Sequence, residues 1–146
     1  MAHDIKIERK LTFDTAGGIF QKVRNNSSGA LAAGDVVIWD TASSGQSRSS
    51  VTTTTTANNE LVAGVMVESV ARYDTGTMQM TGYLITENLK VEGTTDIAVG
   101  DALATDDAAK VARKAGGETA RFAIALEAYT TNDAAGTIKA ILQPNH

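Results

Sequence analysis

The feature of this chain that most constrains its fold is a short phrase that occurs twice. Residues 30–37 read Ala-Leu-Ala-Ala-Gly-Asp-Val-Val, and residues 96–103 read Asp-Ile-Ala-Val-Gly-Asp-Ala-Leu. Glycine accepts a positive φ, and an aspartate side chain accepts hydrogen bonds from nearby backbone amides. The pairs Gly34-Asp35 and Gly100-Asp101 therefore predict two structural turns, each of which opens a strand.

The segments that follow the two phrases also match. Residues 64–68 and 123–127 are apolar runs that end in glutamate, and Gly-Thr pairs come next at positions 76 and 136. The two glutamates are 59 residues apart and the two Gly-Thr pairs are 60 residues apart. This spacing predicts two similar β-units, an internal pseudo-repeat over about residues 30–80 and 96–142.

The remaining pattern predicts an all-β fold. Short apolar or β-branched runs alternate with turn residues, at the 8–12 residue spacing typical of a β-sandwich or barrel. A chain of 146 residues with 42% hydrophobic residues is long enough for one packed domain. We expect about ten short strands, the clearest of them at residues 36–39, 61–70, 122–126 and 136–142.

Residues 106–115 allow two interpretations. Aspartates come first and Lys110, Arg113 and Lys114 come later, which suits a helix dipole. The segment is short for a stable helix, however, and Val111 is its only large apolar residue. We favour an extended hairpin that carries Lys110 and Val111.

The N-terminus has the pattern of an extended arm. Ile5, Ile7, Leu11 and Phe13 alternate with polar residues, only Arg9 interrupts this apolar face, and two glycines follow at 17 and 18. The segment is either a strand of the protein's own sheet or an arm that adds a strand to a partner. We divide the chain into an arm over residues 1–18 and a single β-domain over residues 19–146.

The composition argues against most chemistry. The net charge is −4 without a basic block, there is no cysteine, and the two histidines, His3 and His146, lie at the ends. We therefore expect no nucleic-acid partner, no metal, no cofactor and no catalytic residue. A carboxylate pair formed by Glu68 and Glu127 is the enzymatic alternative. No signal peptide or membrane span is visible, so we expect a soluble protein made in a cytoplasm and no membrane partner.

Several motifs resemble those of tailed-phage capsid decoration (cement) proteins, which are small β-domains encoded beside the major capsid protein. The motifs that carry the resemblance are Ala-Ala-Gly-Asp-Val-Val (32–37), Val-Ala-Gly-Val-Met-Val (62–67), Gly-Thr-Met-Gln-Met-Thr-Gly (76–82), Val-Gly-Asp-Ala-Leu-Ala-Thr-Asp (99–106), Ala-Ile-Ala-Leu-Glu (123–127) and Gly-Thr-Ile-Lys-Ala-Ile-Leu (136–142). The likeness covers most of residues 30–142.

The resemblance implies a compact β-barrel or sandwich of the β-tulip type. It also implies a homotrimer on the outer capsid surface that clamps neighbouring major capsid proteins after synthesis in the host cytoplasm. A capsid-binding arm would use Ile5, Ile7, Arg9, Leu11 and Phe13. Some proteins of this group carry a recombinase label, but this chain has no phosphate-binding Gly-x-x-x-x-Gly-Lys motif.

A different virion module is the alternative function. Residues 41–56 are rich in serine and threonine, and such a segment is compatible with a fibre, a spike or a receptor- or glycan-binding domain.

Overall fold

A computed structural model describes residues 12–13, 19–42, 49–80, 84–117, 120–131 and 134–143. Within these residues the chain forms eleven strands and no helix, so the prediction of an all-β barrel or sandwich is confirmed. In chain order the strands are β1 (Thr12–Phe13), β2 (Ile19–Asn25), β3 (Val36–Trp39), β4 (Ser50–Thr52), β5 (Val62–Met66), β6 (Thr75–Met80), β7 (Leu84–Val91), β8 (Ala102–Thr105), β9 (Ala112–Lys114), β10 (Ala123–Ala125) and β11 (Gly136–Leu142).

Strands β2 to β6 form a closed ring of pairings, here called barrel 1. The strand order is β2-β4-β3-β5-β6, and β6 also pairs with β2. All of these pairings are antiparallel except that between β2 and β4, which is parallel. Strand β1 pairs with the start of β2.

Strands β7 to β11 form a second closed barrel, barrel 2, with the order β7-β9-β8-β10-β11. Its one parallel pairing joins β7 to β9, the counterparts of β2 and β4. The registers also correspond: Val36 faces Val65 in barrel 1, and Ala102 faces Ile124 in barrel 2. The two halves of the chain therefore have the same connectivity and nearly the same strand pairing.

The register corrects one part of the repeat as read from the sequence. Gly76 pairs with Val23 on β2, and the counterpart of Val23 is Leu89, which pairs with Ile138. Gly76 thus corresponds to Ile138 and not to Gly136, so the two Gly-Thr pairs are not equivalent. The connection before β11 is longer than the one before β6, and the short Gly-Thr match concealed this difference.

Residues 102–114 form a hairpin, as favoured over a helix. Strands β8 and β9 pair antiparallel, and Lys110 in the turn between them has a φ of 75°. The long strand expected at residues 61–70 is shorter, since β5 ends at Met66 and the chain then turns.

Strand β3 is apolar on both faces because both faces are covered. Val37 lies in the core of barrel 1 with Val23 and Met78. Val36 and Ile38 point the other way and pack in the cluster that fills barrel 2. The two barrels therefore share a continuous apolar contact.

Candidate functional site

The two Gly-Asp turns have the same local geometry. Gly34 has a φ of 88° and Gly100 a φ of 92°, in the left-handed region where a side chain is strained. The Asp35 carboxylate accepts the Ala32 amide at 2.8 Å, and the Asp101 carboxylate accepts the Ala98 amide at 2.9 Å. The Gly34 amide also donates to the Met66 carbonyl on β5, and the Gly100 amide donates to the Ala125 carbonyl on β10.

The first turn is buried against barrel 2. The Gly34 carbonyl accepts the Lys90 amide at 3.1 Å, and the Val36 amide donates to the Lys110 carbonyl at 2.9 Å. A Cβ on Gly34 would collide with the carbonyl oxygen of Asn88. Close contact between the barrels thus requires glycine at position 34.

Asp35 carries a buried charge at this junction. Its side chain is 1% exposed and forms an ion pair with Lys90, and the Lys110 ammonium lies 3.9 Å away. Lys110 also donates to the Ala30 carbonyl at 2.8 Å. Two lysines of barrel 2 therefore compensate one carboxylate of barrel 1, as a charge removed from water requires.

This turn lies against the outer face of β7, where Gly34 contacts the Asn88 carbonyl and the Lys90 side chain. Ile85, Asn88 and Lys90 are apolar, polar and cationic in that order. Ile85 and Asn88 line a cleft of about 330 Å³ together with Ala33 and Gly34 of the turn. We call Ile85, Asn88 and Lys90 the β7 row.

The second turn lies in different surroundings. Gly100 is exposed, and a Cβ added to it would meet no atom within 4 Å. Val99 is 65% exposed, the largest value among the exposed large hydrophobic side chains of the described residues. The Asp101 side chain is 21% exposed and pairs with Lys114 of its own barrel at 2.9 Å. The Ala98 amide, followed by Lys114, lowers the pKa of Asp101.

Barrel 1 carries a counterpart of the β7 row on β2. Arg24 pairs with Thr75 as Lys90 pairs with Thr137, and Phe20 pairs with Gln79 as Ile85 pairs with Ile141. The row Phe20, Lys22 and Arg24, here called the β2 row, again runs from apolar to cationic. Phe20 and Lys22 line a cleft of about 230 Å³ with Gln21 and Thr77.

Most of the predicted arm lies outside the described residues. Ile5, Ile7, Arg9 and Leu11 belong to that part, and only the backbone of Phe13 is described. Phe13 pairs with Ile19 at the start of β2. Thr12 and Phe13 therefore pair within the protein's own sheet, and the role of the remaining arm residues stays a prediction.

The carboxylates considered for catalysis belong to separate environments. Glu68 is exposed and lies 4.0 Å from Lys22, whereas Glu127 accepts the Lys139 amide at 3.0 Å. They share no partner among the interactions described. In the described part of the chain, no group of three or more His, Cys, Asp or Glu residues is suited to hold a metal ion. No helix described there is long and apolar enough to cross a membrane.

Two acidic side chains close to the β8–β9 hairpin have shifted pKa values of opposite sign. Burial raises the pKa of Asp106, and repulsion from Asp107 and Glu92 adds to the shift, although the amides of Asp107 and Ala108 oppose it. Burial acts in the same direction on Glu92, but hydrogen bonds from Thr94 and Thr95 outweigh it and lower that pKa.

The sequence did not identify the residues that receive the turns. Lys90 and Lys110 are 55 and 75 residues from Asp35, and no local motif connects them. The available signal was indirect: β3 is apolar on both faces, which indicates a strand at an interface.

No protein-family model matches the sequence, and no curated protein matches it at a significant level. Among solved structures, the chain is similar to the N base of the head fiber gp8.5 of bacteriophage phi29, with a TM-score of 0.52 and 19% sequence identity. The match covers 86% of this chain and 94% of that one. The likeness shows a shared fold over nearly all of both chains.

Proposed function

We propose that this protein is a structural component of a phage virion that attaches to the outer surface of the head. The observation that supports this proposal is the fold shared with a head fiber base over 86% of the chain. The sequence motifs that resemble capsid decoration proteins point to the same part of a virion. The action is binding without catalysis.

In the finer form of this proposal, the protein stabilises the capsid by clamping neighbouring major capsid proteins. It acts as a homotrimer, so that several weak contacts with the shell are formed together. Linked contacts give an avidity that exceeds the affinity of one contact by orders of magnitude. The partner is the major capsid protein, and the location is the outer capsid surface.

The arm supplies part of this contact. Ile5, Ile7, Leu11 and Phe13 form an apolar face, and Arg9 adds a charge. An extended segment gains main-chain hydrogen bonds at a sheet edge, and each large side chain buried there adds about 1.5–3 kcal/mol before the cost of ordering.

Heads of the encoding phage, prepared without this protein, test the proposal. The purified protein should co-sediment with these heads, and electron cryo-microscopy should show added density on the outer surface. Absence of binding at micromolar concentration contradicts the proposal.

Truncation tests the arm separately. Residues 1–11 are removed and Thr12–Phe13 are kept, because β1 pairs with β2. A double variant, Ile5→Ser with Ile7→Ser, is compared with Lys6→Ser and Glu8→Ser on the opposite face of the alternating pattern. We expect weaker head binding for the truncation and the isoleucine variant only; equal binding by all forms rules out the arm.

A fibre base is the second candidate, and the likeness to the base of a head fiber favours it. A base would carry material that projects from the head, whereas a decoration protein would remain close to the shell. Images of the virion distinguish the two. Binding to host cells or glycans without affinity for the head would instead favour a receptor-binding module.

A further inference from the structure

We propose that the second Gly-Asp turn of one chain docks on the β2 row of another copy of the same chain. The turn comprises Val99, Gly100 and Asp101, and the receiving row comprises Phe20, Lys22 and Arg24. This inference rests on the self-association included in the proposed function and names the surfaces that would produce it.

The same kind of contact already exists within the chain. The turn at Gly34-Asp35 seats on the β7 row, with its carboxylate on Lys90 and its glycine against the backbone of Asn88. Barrel 2 presents an equivalent turn, and barrel 1 presents an equivalent row. Each chain therefore has one such contact formed internally and carries both halves of a second contact on its surface.

The two surfaces are also chemically complementary. Asp101, which already pairs with Lys114 of its own barrel, would gain Arg24 as a second cation, just as Asp35 has both Lys90 and Lys110. The Arg24 guanidinium lies 5.5 Å from the centre of the Tyr73 ring and is exposed enough to accept a carboxylate as well. Val99 corresponds to Ala33 of the first turn, which lines the cleft beside Ile85. In the equivalent position Val99 enters the cleft of about 230 Å³ beside Phe20, which removes its exposed apolar surface from water.

The side of barrel 2 around its turn is only partly buried. Val36 and Val65 of barrel 1 pack against barrel 2 and are almost fully buried. Their register counterparts Ala102 and Ile124 are only partly buried. The face of barrel 1 that is buried against barrel 2 therefore has a counterpart on barrel 2, and this counterpart is still partly exposed.

One difference predicts that the contact between chains is weaker than the internal one. In the internal contact, the Lys90 amide of barrel 2 donates a hydrogen bond to the Gly34 carbonyl of the turn. The equivalent Arg24 amide already donates to the Ser49 carbonyl at 2.8 Å. The contact between chains then depends on side chains, chiefly the Asp101–Arg24 pair, and it should be reversible and sensitive to salt.

Such a contact joins unlike surfaces, so it propagates from head to tail and forms a ring if the rotation closes. Light scattering after size-exclusion chromatography, over a range of protein concentrations, tests it. The wild-type protein should have a mass of several chains, and Asp101→Lys and Arg24→Glu should each raise the dissociation constant by about tenfold or more. Val99→Ser should weaken assembly as well.

The double variant, Asp101→Lys with Arg24→Glu, is the decisive sample because it restores opposite charges in every contact. It should assemble more strongly than either single variant, although below the wild type because the Ala98 amide and Lys114 have lost the Asp101 carboxylate. The control Arg121→Glu, which changes an exposed charge outside both surfaces, should have no effect. A monomeric wild type, single variants that assemble normally, or a double variant that assembles no better than either single variant would overturn the proposal.

The same samples are mixed with undecorated heads to separate this proposal from the proposed function. A monomeric wild type that binds heads overturns the docking contact and leaves the function intact. A protein that assembles but does not bind heads supports the docking contact and contradicts the proposed function.

Discussion

The buried carboxylate of Asp35 provides a sharp test of how the two barrels hold together, because the chain contains its own control. Asp35→Ala and Asp101→Ala remove the same group from two turns of the same geometry. The Asp35 side chain is 1% exposed and that of Asp101 is 21% exposed. The two substitutions should therefore differ in cost.

The expected costs follow from what each substitution leaves behind. Asp35→Ala removes the acceptor of the Ala32 amide and the partner of Lys90 and Lys110 at a junction between barrels. Breaking a buried pair costs about 3–5 kcal/mol, and the partial exposure of both lysines places this case near about 3 kcal/mol. Asp101→Ala loses one amide bond and a surface ion pair, about 1 kcal/mol.

Thermal unfolding followed by the fluorescence of Trp39, the chain's single tryptophan, measures both costs. Trp39 packs against the core of barrel 1 and should report its unfolding. For a chain of this size the midpoint temperature should fall by about 6–12 °C for Asp35→Ala and by about 2–4 °C for Asp101→Ala. Equal losses for the two variants would refute the idea that burial at the junction, and not the turn itself, determines the cost.

Three further predictions concern the glycines of the two turns and two aspartates with shifted pKa values. Gly100→Ala should lower the free energy of unfolding by about 1–2 kcal/mol from the strain at positive φ alone. Gly34→Ala should lower it clearly more, because the added Cβ also meets the Asn88 carbonyl. Thermal unfolding of both variants compares the two losses, and a smaller loss at position 34 contradicts the prediction. Burial raises the pKa of Asp106, so the charged form of this side chain opposes folding once the pH exceeds the pKa of the unfolded state. Asp106→Asn should therefore be more stable than the wild type at pH 7, and the difference should disappear at about pH 3. Thr131 lowers the pKa of Asp96, so Asp96→Asn should show the opposite sign, with a loss at pH 7 that disappears as the pH falls below the folded-state pKa.

The turns and the hairpin of this structure could be predicted from the sequence. The Gly-Asp phrases predicted turns that open strands because glycine and aspartate act within a few residues of each other, and β3 begins directly after Asp35. The hairpin around Lys110 was also accessible, because a short segment with one apolar anchor is a poor helix. Strand ends were less accurate, as at Met66, since burial there depends on neighbours that are distant in the sequence.

The contact between the barrels could not be read from the sequence. It depends on the register of β7 against β11, where a bulge lies between Ile138 and Ala140. Two similar turns also acquire different surroundings only when one barrel packs on the other. Arg24 and Lys90 have little in common as sequence positions, and their equivalence is visible only from the pairing of β2 and β7 with their neighbours.

Each barrel carries one Gly-Asp turn and one row of the type on which such a turn docks. When the two barrels of one chain pack together, only one of the two possible turn-on-row contacts forms. The internal junction uses the turn of barrel 1 and the β7 row. In the described part of the chain, the turn of barrel 2 and the β2 row are at least partly exposed. The turn of barrel 1 has Ala33 where barrel 2 has the bulkier Val99. Val99 lies on the turn whose described contacts are all within its own barrel. A bulkier side chain suits a contact between chains that gains its affinity from side chains, because the backbone donor at Arg24 is already used.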